Sequence, residues 1–115
     1  MFVDSHCHIN FPELAERLPD ILATMRANHV SDALCVSVTL PEFPQVLALA
    51  EAYPNIYASV GVHPDYDDTP EPSTEQLVQL AQHPRIVAIG ETGLDYFRMK
   101  GDLEWQRERF RVHIR

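Results

Sequence analysis

Positive charge is scarce in this chain. Its 115 residues hold 9 Lys and Arg against 17 Asp and Glu, a formal net charge of −8. That balance excludes the broad basic surface with which many proteins grip a phosphate backbone. The shortage is uneven. Residues 1–97 carry 3 Lys/Arg against 14 Asp/Glu, net −11, whereas residues 98–115 carry 6 against 3, net +3. An anionic substrate would therefore need local help, from a metal ion or from the rim of a pocket.

Cysteine is scarce too. Cys7 and Cys35 are the only two, which excludes a disulfide framework, and both read as reduced, buried small residues. No apolar run approaches the roughly 18 residues of a membrane-spanning helix. Residues 1–20 carry charges throughout and lack the apolar stretch of a signal peptide. The expectation is a cytoplasmic protein with no membrane partner. At 45% hydrophobic and 23% charged, the chain can bury a core and is not disordered. Its length allows one domain at most.

Four short apolar segments stand out: Phe2–Val3 running into "DSHCH", "ALCVSV" (Ala33–Val38), "IYASVGV" (Ile56–Val62) and "IVAIG" (Ile86–Gly90). Each is nearly continuous rather than alternating, as parallel strands buried on both faces are. Helical patterns lie between them. One spans about Glu13 to Asn28, with Pro19 as a break or restart. A second spans about Glu42 to Ala52. A third opens on Ser73 with Gln76 three residues on, a capping box. A fourth starts near Asp102 as N-cap and turns Leu103, Phe110 and Ile114 inward. "DYDDTPEPS" (Asp65–Ser73) is an acidic loop.

The order β-α-β-α-β-α-β-α, with strand starts roughly 23 to 31 residues apart, is the rhythm of a parallel α/β fold. A (β/α)8 TIM barrel takes about 250 residues, so residues 1–115 read as the N-terminal half of one such domain, its first four βα units. A small open four-stranded α/β domain is the alternative.

Sites in α/β folds sit at the C-terminal ends of strands. Here those ends carry His6-Cys7-His8, "SVTLP", Gly61-Val62-His63-Pro64 and Gly90-Glu91-Thr92-Gly93-Leu94-Asp95-Tyr96. In a strand Asp4, His6 and His8 point to one face. Neutral imidazoles suit Zn, Mn, Fe or Ni, and a strand-end carboxylate such as Glu91 can bridge two ions. Asp4 is expected to orient one imidazole. Gly90 and Gly93 permit a sharp turn after the fourth strand. Asp95 is expected to hold that loop through backbone N–H groups, and Tyr96 to support it or line the pocket. Arg98 and Lys100 lie on the rim as candidate phosphate contacts. His29 and His83 read as solvent-facing, and His113 as structural or exposed.

"FVDSHCHINF", "YASVGVHP" and "AIGETGLDYF" together resemble three successive signatures of the TatD family of metal-dependent deoxyribonucleases, in its YcfH-like branch. The resemblance covers Phe2 to Arg115. It implies a (β/α)8 barrel that hydrolyses phosphodiester bonds of DNA, several members acting from the 3′ end. It implies a divalent-metal site of two ions, Mg, Mn or Zn. By position, His6 and His8 match the first two metal ligands, and Glu91 matches the bridging ligand and catalytic carboxylate. His63 matches a residue at the rim, nearer substrate than metal. The family's remaining ligands, two histidines and an aspartate, belong to later strands.

Two other readings stand beside this one. Amidohydrolases and PHP-type phosphoesterases also open with HxH on a first strand, but a lysine at the fourth strand end would mark the former, and Glu91 stands there. Alternatively the 115 residues are a catalytically silent fragment. Open sheet edges would then favour self-association.

Overall fold

The computed structural model describes residues 1–115 and shows a four-stranded parallel sheet in the order β1-β2-β3-β4. The elements are β1 (Phe2–Cys7), α1 (Pro12–Ala15), α2 (Leu18–Ala27), β2 (Val30–Cys35), α3 (Phe43–Ala52), β3 (Ile56–Val60), α4 (Thr74–Leu80), β4 (Ile86–Ile89) and α5 (Glu104–Ile114). Each strand lies beside its predecessor in sequence, the arrangement that successive βα units of a barrel produce. No helix is long and apolar enough to cross a membrane.

The core lies between the sheet and the helices. Ala33, Cys35, Ile56 and Ala58 of the two central strands meet Leu18 of α2 and Val46 and Ala50 of α3, with Ile21, Leu22 and Met25 packed around them. Phe43, Val60 and Leu77 form a second cluster towards α4. The sheet's two edges are another matter. Phe2 and Val3 of β1 are 67% and 65% exposed, and Val87 and Ile89 of β4 are 56% and 42% exposed.

Several local rules operate as the sequence leads one to expect. The Ser73 hydroxyl accepts the Gln76 N–H at 3.1 Å and caps α4. The first helical pattern splits at Glu16–Arg17, and Pro19 sits in the first turn of α2, where its missing N–H costs nothing. Asp102 accepts the Glu104 N–H at 3.0 Å, although the N-cap position itself belongs to Leu103. Ile114 does not turn inward: it is 68% exposed. The buried face of α5 is polar instead, with Gln106 and Arg109 on it.

Two strands end earlier than expected. β2 begins at Val30, where Phe2 pairs with it, and stops at Cys35 rather than Val38. Residues 36–38 stay buried, but their carbonyls serve the site. Val36 O faces His8 Nδ1, Ser37 O accepts from Glu91 N, and Val38 O accepts from His63 N. β3 stops at Val60 rather than Val62 because Val62 N donates to the His113 ring, not to a strand. Cys7 and Cys35, register partners on β1 and β2, are free thiols.

Candidate metal centre

His6 is the last but one residue of β1 and His8 follows its end. Their alternate positions aim both rings the same way, and His6 Nε2 lies 3.2 Å from His8 Nε2. Asp4, on the same side, does not reach either ring. Its Oδ1 accepts the main-chain N–H of His6 at 3.0 Å, so it braces the strand rather than orienting an imidazole. His8 Nδ1 lies 3.1 Å from Val36 O, which can only accept. Nδ1 therefore carries the ring proton and Nε2 is left with a bare lone pair. Phe11 stacks on the same ring at 4.8 Å.

Glu91 arrives from the end of β4. Its N–H donates to Ser37 O at 2.7 Å, and Gly90 N donates to Val60 O. Two buried serines complete the mount. The Ser59 hydroxyl donates to Gly90 O at 2.7 Å and accepts Ser37 N at 3.0 Å, while Ser37 Oγ donates to Ser59 O at 2.8 Å. Glu91 Oε2 then stands 3.4 Å from His6 Nε2 and 3.7 Å from His8 Nε2.

The three donors His6, His8 and Glu91 lie within 4.8 Å of one another. Ligand atoms about 2.1 Å from one ion at tetrahedral angles stand about 3.4 Å apart, so the observed separations suit a shared divalent cation. The bare Nε2 of His8 fits the same conclusion, because a lone pair turned towards a second imidazole nitrogen and a carboxylate is a ligand atom in place for a cation.

His63 meets the same carboxylate from the other side. Its Nε2 is 3.2 Å from Glu91 Oε1. Its Nδ1 accepts the Asp65 N–H at 2.9 Å, which leaves the ring proton on Nε2, directed at Glu91. Tyr66 packs edge-on against His63 at 5.8 Å. Burial first, then the Glu42, Asp65 and Glu91 carboxylates, push the Tyr66 hydroxyl above its ordinary value, so it stays a neutral donor.

The softer candidates occupy the rim. Asp95 holds its loop as expected, its Oδ1 accepting Phe97 N at 3.0 Å and Arg98 N at 3.4 Å. Arg98 pairs with Asp95 at 3.4 Å and Asp65 at 3.8 Å, which offsets its charge towards any phosphate. Lys100 is exposed. The Tyr96 hydroxyl accepts from Arg107. His29 is exposed; His83, expected in solvent, is half-buried and accepts the Arg85 N–H through Nδ1. His113 is structural, bridging Val62 N at 2.9 Å and Arg109 O at 2.8 Å.

Sequence reasoning missed Ser37, Ser59, Gln106 and Arg109. The serines sit inside apolar runs, where a hydroxyl signals nothing about what it will bond. Gln106 and Arg109 lie in a helix of mixed charge, "EWQRERFRVHI". Their spacing from Leu103 was the available signal, since positions 103, 106 and 109 share one helix face.

Residues 3–115 match the protein-family model described as TatD related DNase. Among curated proteins, the chain is 37% identical over 115 residues to the "uncharacterized metal-dependent hydrolase YcfH" of Escherichia coli K12, covering 97% of this chain and 43% of that one. It is 30% identical over 112 residues to the "3′-5′ ssDNA/RNA exonuclease TatD" of Salmonella typhimurium LT2, covering 96% of this chain and 43% of that one. The crystal structure of YjjV, a TatD homologue of E. coli K12, superposes with a TM-score of 0.86 at 33% identity, over 98% of this chain and 45% of that one. The chain thus spans less than half the length of these relatives, and its sheet corresponds to the first four βα units of the TatD barrel.

Proposed function

Because the chain belongs to the TatD related DNase family, we propose that the protein at full length is a metal-dependent hydrolase of DNA phosphodiester bonds, working from the 3′ end. The observation that carries this reading is the meeting of His6 Nε2, His8 Nε2 and Glu91 Oε2 at the C-terminal ends of β1 and β4. The Salmonella relative's name, an exonuclease of single-stranded DNA and RNA, supports the choice of substrate.

In this reading His6, His8 and Glu91 hold divalent ions, two of them, drawn from Mg²⁺, Mn²⁺ and Zn²⁺. Such ions supply an activated water and offset charge on the phosphate oxygens. The chain's own part is placement. Ser37 and Ser59 fix the backbone from which Glu91 projects. Val36 fixes the tautomer that exposes His8 Nε2. His63 holds Glu91 Oε1, so that Oε2 faces the histidines, and it stands at the rim beside that carboxylate, where a phosphate would enter. The local net charge of −11 over residues 1–97 repels DNA unless cations offset it, which ties substrate binding to metal binding.

The test is a nuclease assay on the full-length protein with Mg²⁺ or Mn²⁺ and single-stranded DNA labelled at either end. Loss of nucleotides from the 3′ end, abolished by chelator, is expected. Glu91→Ala should lower the rate by about 10³-fold or more. Undiminished activity in Glu91→Ala would sink the role given to that residue.

A further inference from the structure

Gln106, Arg109 and His113 lie at i, i+3 and i+7 on α5, one face of the helix. That face grips three consecutive residues beyond the end of β3. His113 Nε2 accepts Val62 N at 2.9 Å, an Arg109 guanidinium N–H donates to His63 O at 2.8 Å, and Gln106 Nε2 donates to Pro64 O at 3.1 Å. Gln106 also holds the β4–α5 loop, accepting Asp95 N and donating to Asp95 O, each at 3.0 Å. We propose that this face is a clamp that sets His63 against Glu91, with Arg109 as its positioning residue; the proposal rests on the metal-centre reading above.

Burial makes the case. Gln106 is 0% and Arg109 2% exposed. A buried guanidinium costs several kcal/mol unless it is fully partnered, and apolar side chains of equal volume would stabilise a helix–sheet contact as well or better. Each of the three Arg109 guanidinium nitrogens has a partner. Arg109 makes a two-pronged pair with Glu71, Nε to Oε2 at 2.8 Å and the other prong to Oε1, and lies 4.9 Å over the Trp105 ring. The pair locks the guanidinium so that an Nη1 N–H points at one main-chain carbonyl, that of His63.

The consequence passes from backbone to side chain. Asp65 N holds His63 Nδ1, so the ring's single proton sits on Nε2 and meets Glu91 Oε1. That contact leaves Oε2 for His6 and His8. If the His63 backbone moves, the Asp65 and Glu91 contacts fail together, and the Glu91 carboxylate is free to turn.

The experiment is performed on the full-length protein with ¹⁵N-labelled histidine. NMR reads the His63 tautomer, and titration calorimetry reads Mn²⁺ affinity. Wild type should show His63 locked as the Nε2–H form. Arg109→Met, which keeps length but no donor, should average the two tautomers and weaken Mn²⁺ binding by about tenfold. Glu71→Gln, at an exposed partner, should shift both readouts in the same direction by less, and serves should Arg109→Met not fold. Val46→Ala, in the core away from the site, lowers stability and should move neither readout. A locked tautomer and unchanged affinity in the folded Arg109 or Glu71 variant, or equal shifts in Val46→Ala, would overturn the clamp. If wild type binds no Mn²⁺, the metal reading falls and the tautomer comparison alone decides the clamp.

Discussion

Gly61 lies so close to Gly90 that a Cβ on Gly61 would stand 2.6 Å from the Gly90 carbonyl carbon and 2.7 Å from its oxygen. The end of β3 therefore touches the turn that presents Glu91, and only a residue without a side chain allows it. The atoms in the way are backbone, so they cannot swing aside. Gly61→Ala should cost about 1–3 kcal/mol of stability and weaken Mn²⁺ binding by displacing Glu91. Urea denaturation and calorimetry measure the two effects; wild-type values for both would contradict this account of Gly61.

Ser59 supplies one hydroxyl to two buried backbone groups, Ser37 N and Gly90 O. Ser59→Ala strands both, at about 1–3 kcal/mol. Ser59→Thr keeps the hydroxyl and should recover part of the loss. The check is the urea midpoint of the two variants, and equal stability of Ser59→Ala and wild type would show that the Ser59 hydroxyl is not needed to satisfy Ser37 N and Gly90 O.

Acid should weaken the fold through His113. Burial holds its pKa below the ordinary 6.5, with the Arg109 charge acting the same way and the Arg109 carbonyl and Glu71 opposing. The unfolded chain then binds the proton more readily than the folded one. The contribution is complete above about pH 6.5 and is lost as pH falls from there through the lower folded value. Protonated Nε2 would also oppose the Val62 N–H that it now accepts. Denaturation midpoints compared at about pH 7.5 and 5.5 should fall further for wild type than for His113→Gln, after allowance for the histidines the two proteins share. Equal falls would remove His113 from the acid response.

The 115-residue chain on its own should self-associate. β1 and β4 each leave a side of the ladder unpaired, and Phe2, Val3, Val87 and Ile89 are exposed along them. Size-exclusion chromatography with light scattering should show dimers or larger species, reduced by lysine at Val3 and Val87. A monodisperse monomer at high concentration would refute this.

Much of this protein is legible one residue at a time. Strand and helix order follows from apolar runs and periodicity, which burial on both faces of a parallel strand imposes locally. The capping of α4 by Ser73 needs only three residues of chain. The direction of His6 and His8 follows from strand alternation, and Glu91 from its place at a strand end. What the sequence could not assign is every contact whose partners lie far apart along the chain. The meeting of His63 with Glu91, the serine mount beneath Gly90, and the grip of Gln106, Arg109 and His113 on residues 62–64 join positions 22 to 51 residues apart. The early ends of β2 and β3 have the same origin, since the carbonyls and amides that follow them are taken by side chains and loop amides from elsewhere. A hydroxyl or a guanidinium has no preferred partner until the sheet closes and removes water from it. Only then does the need to pair every buried donor and acceptor select one arrangement.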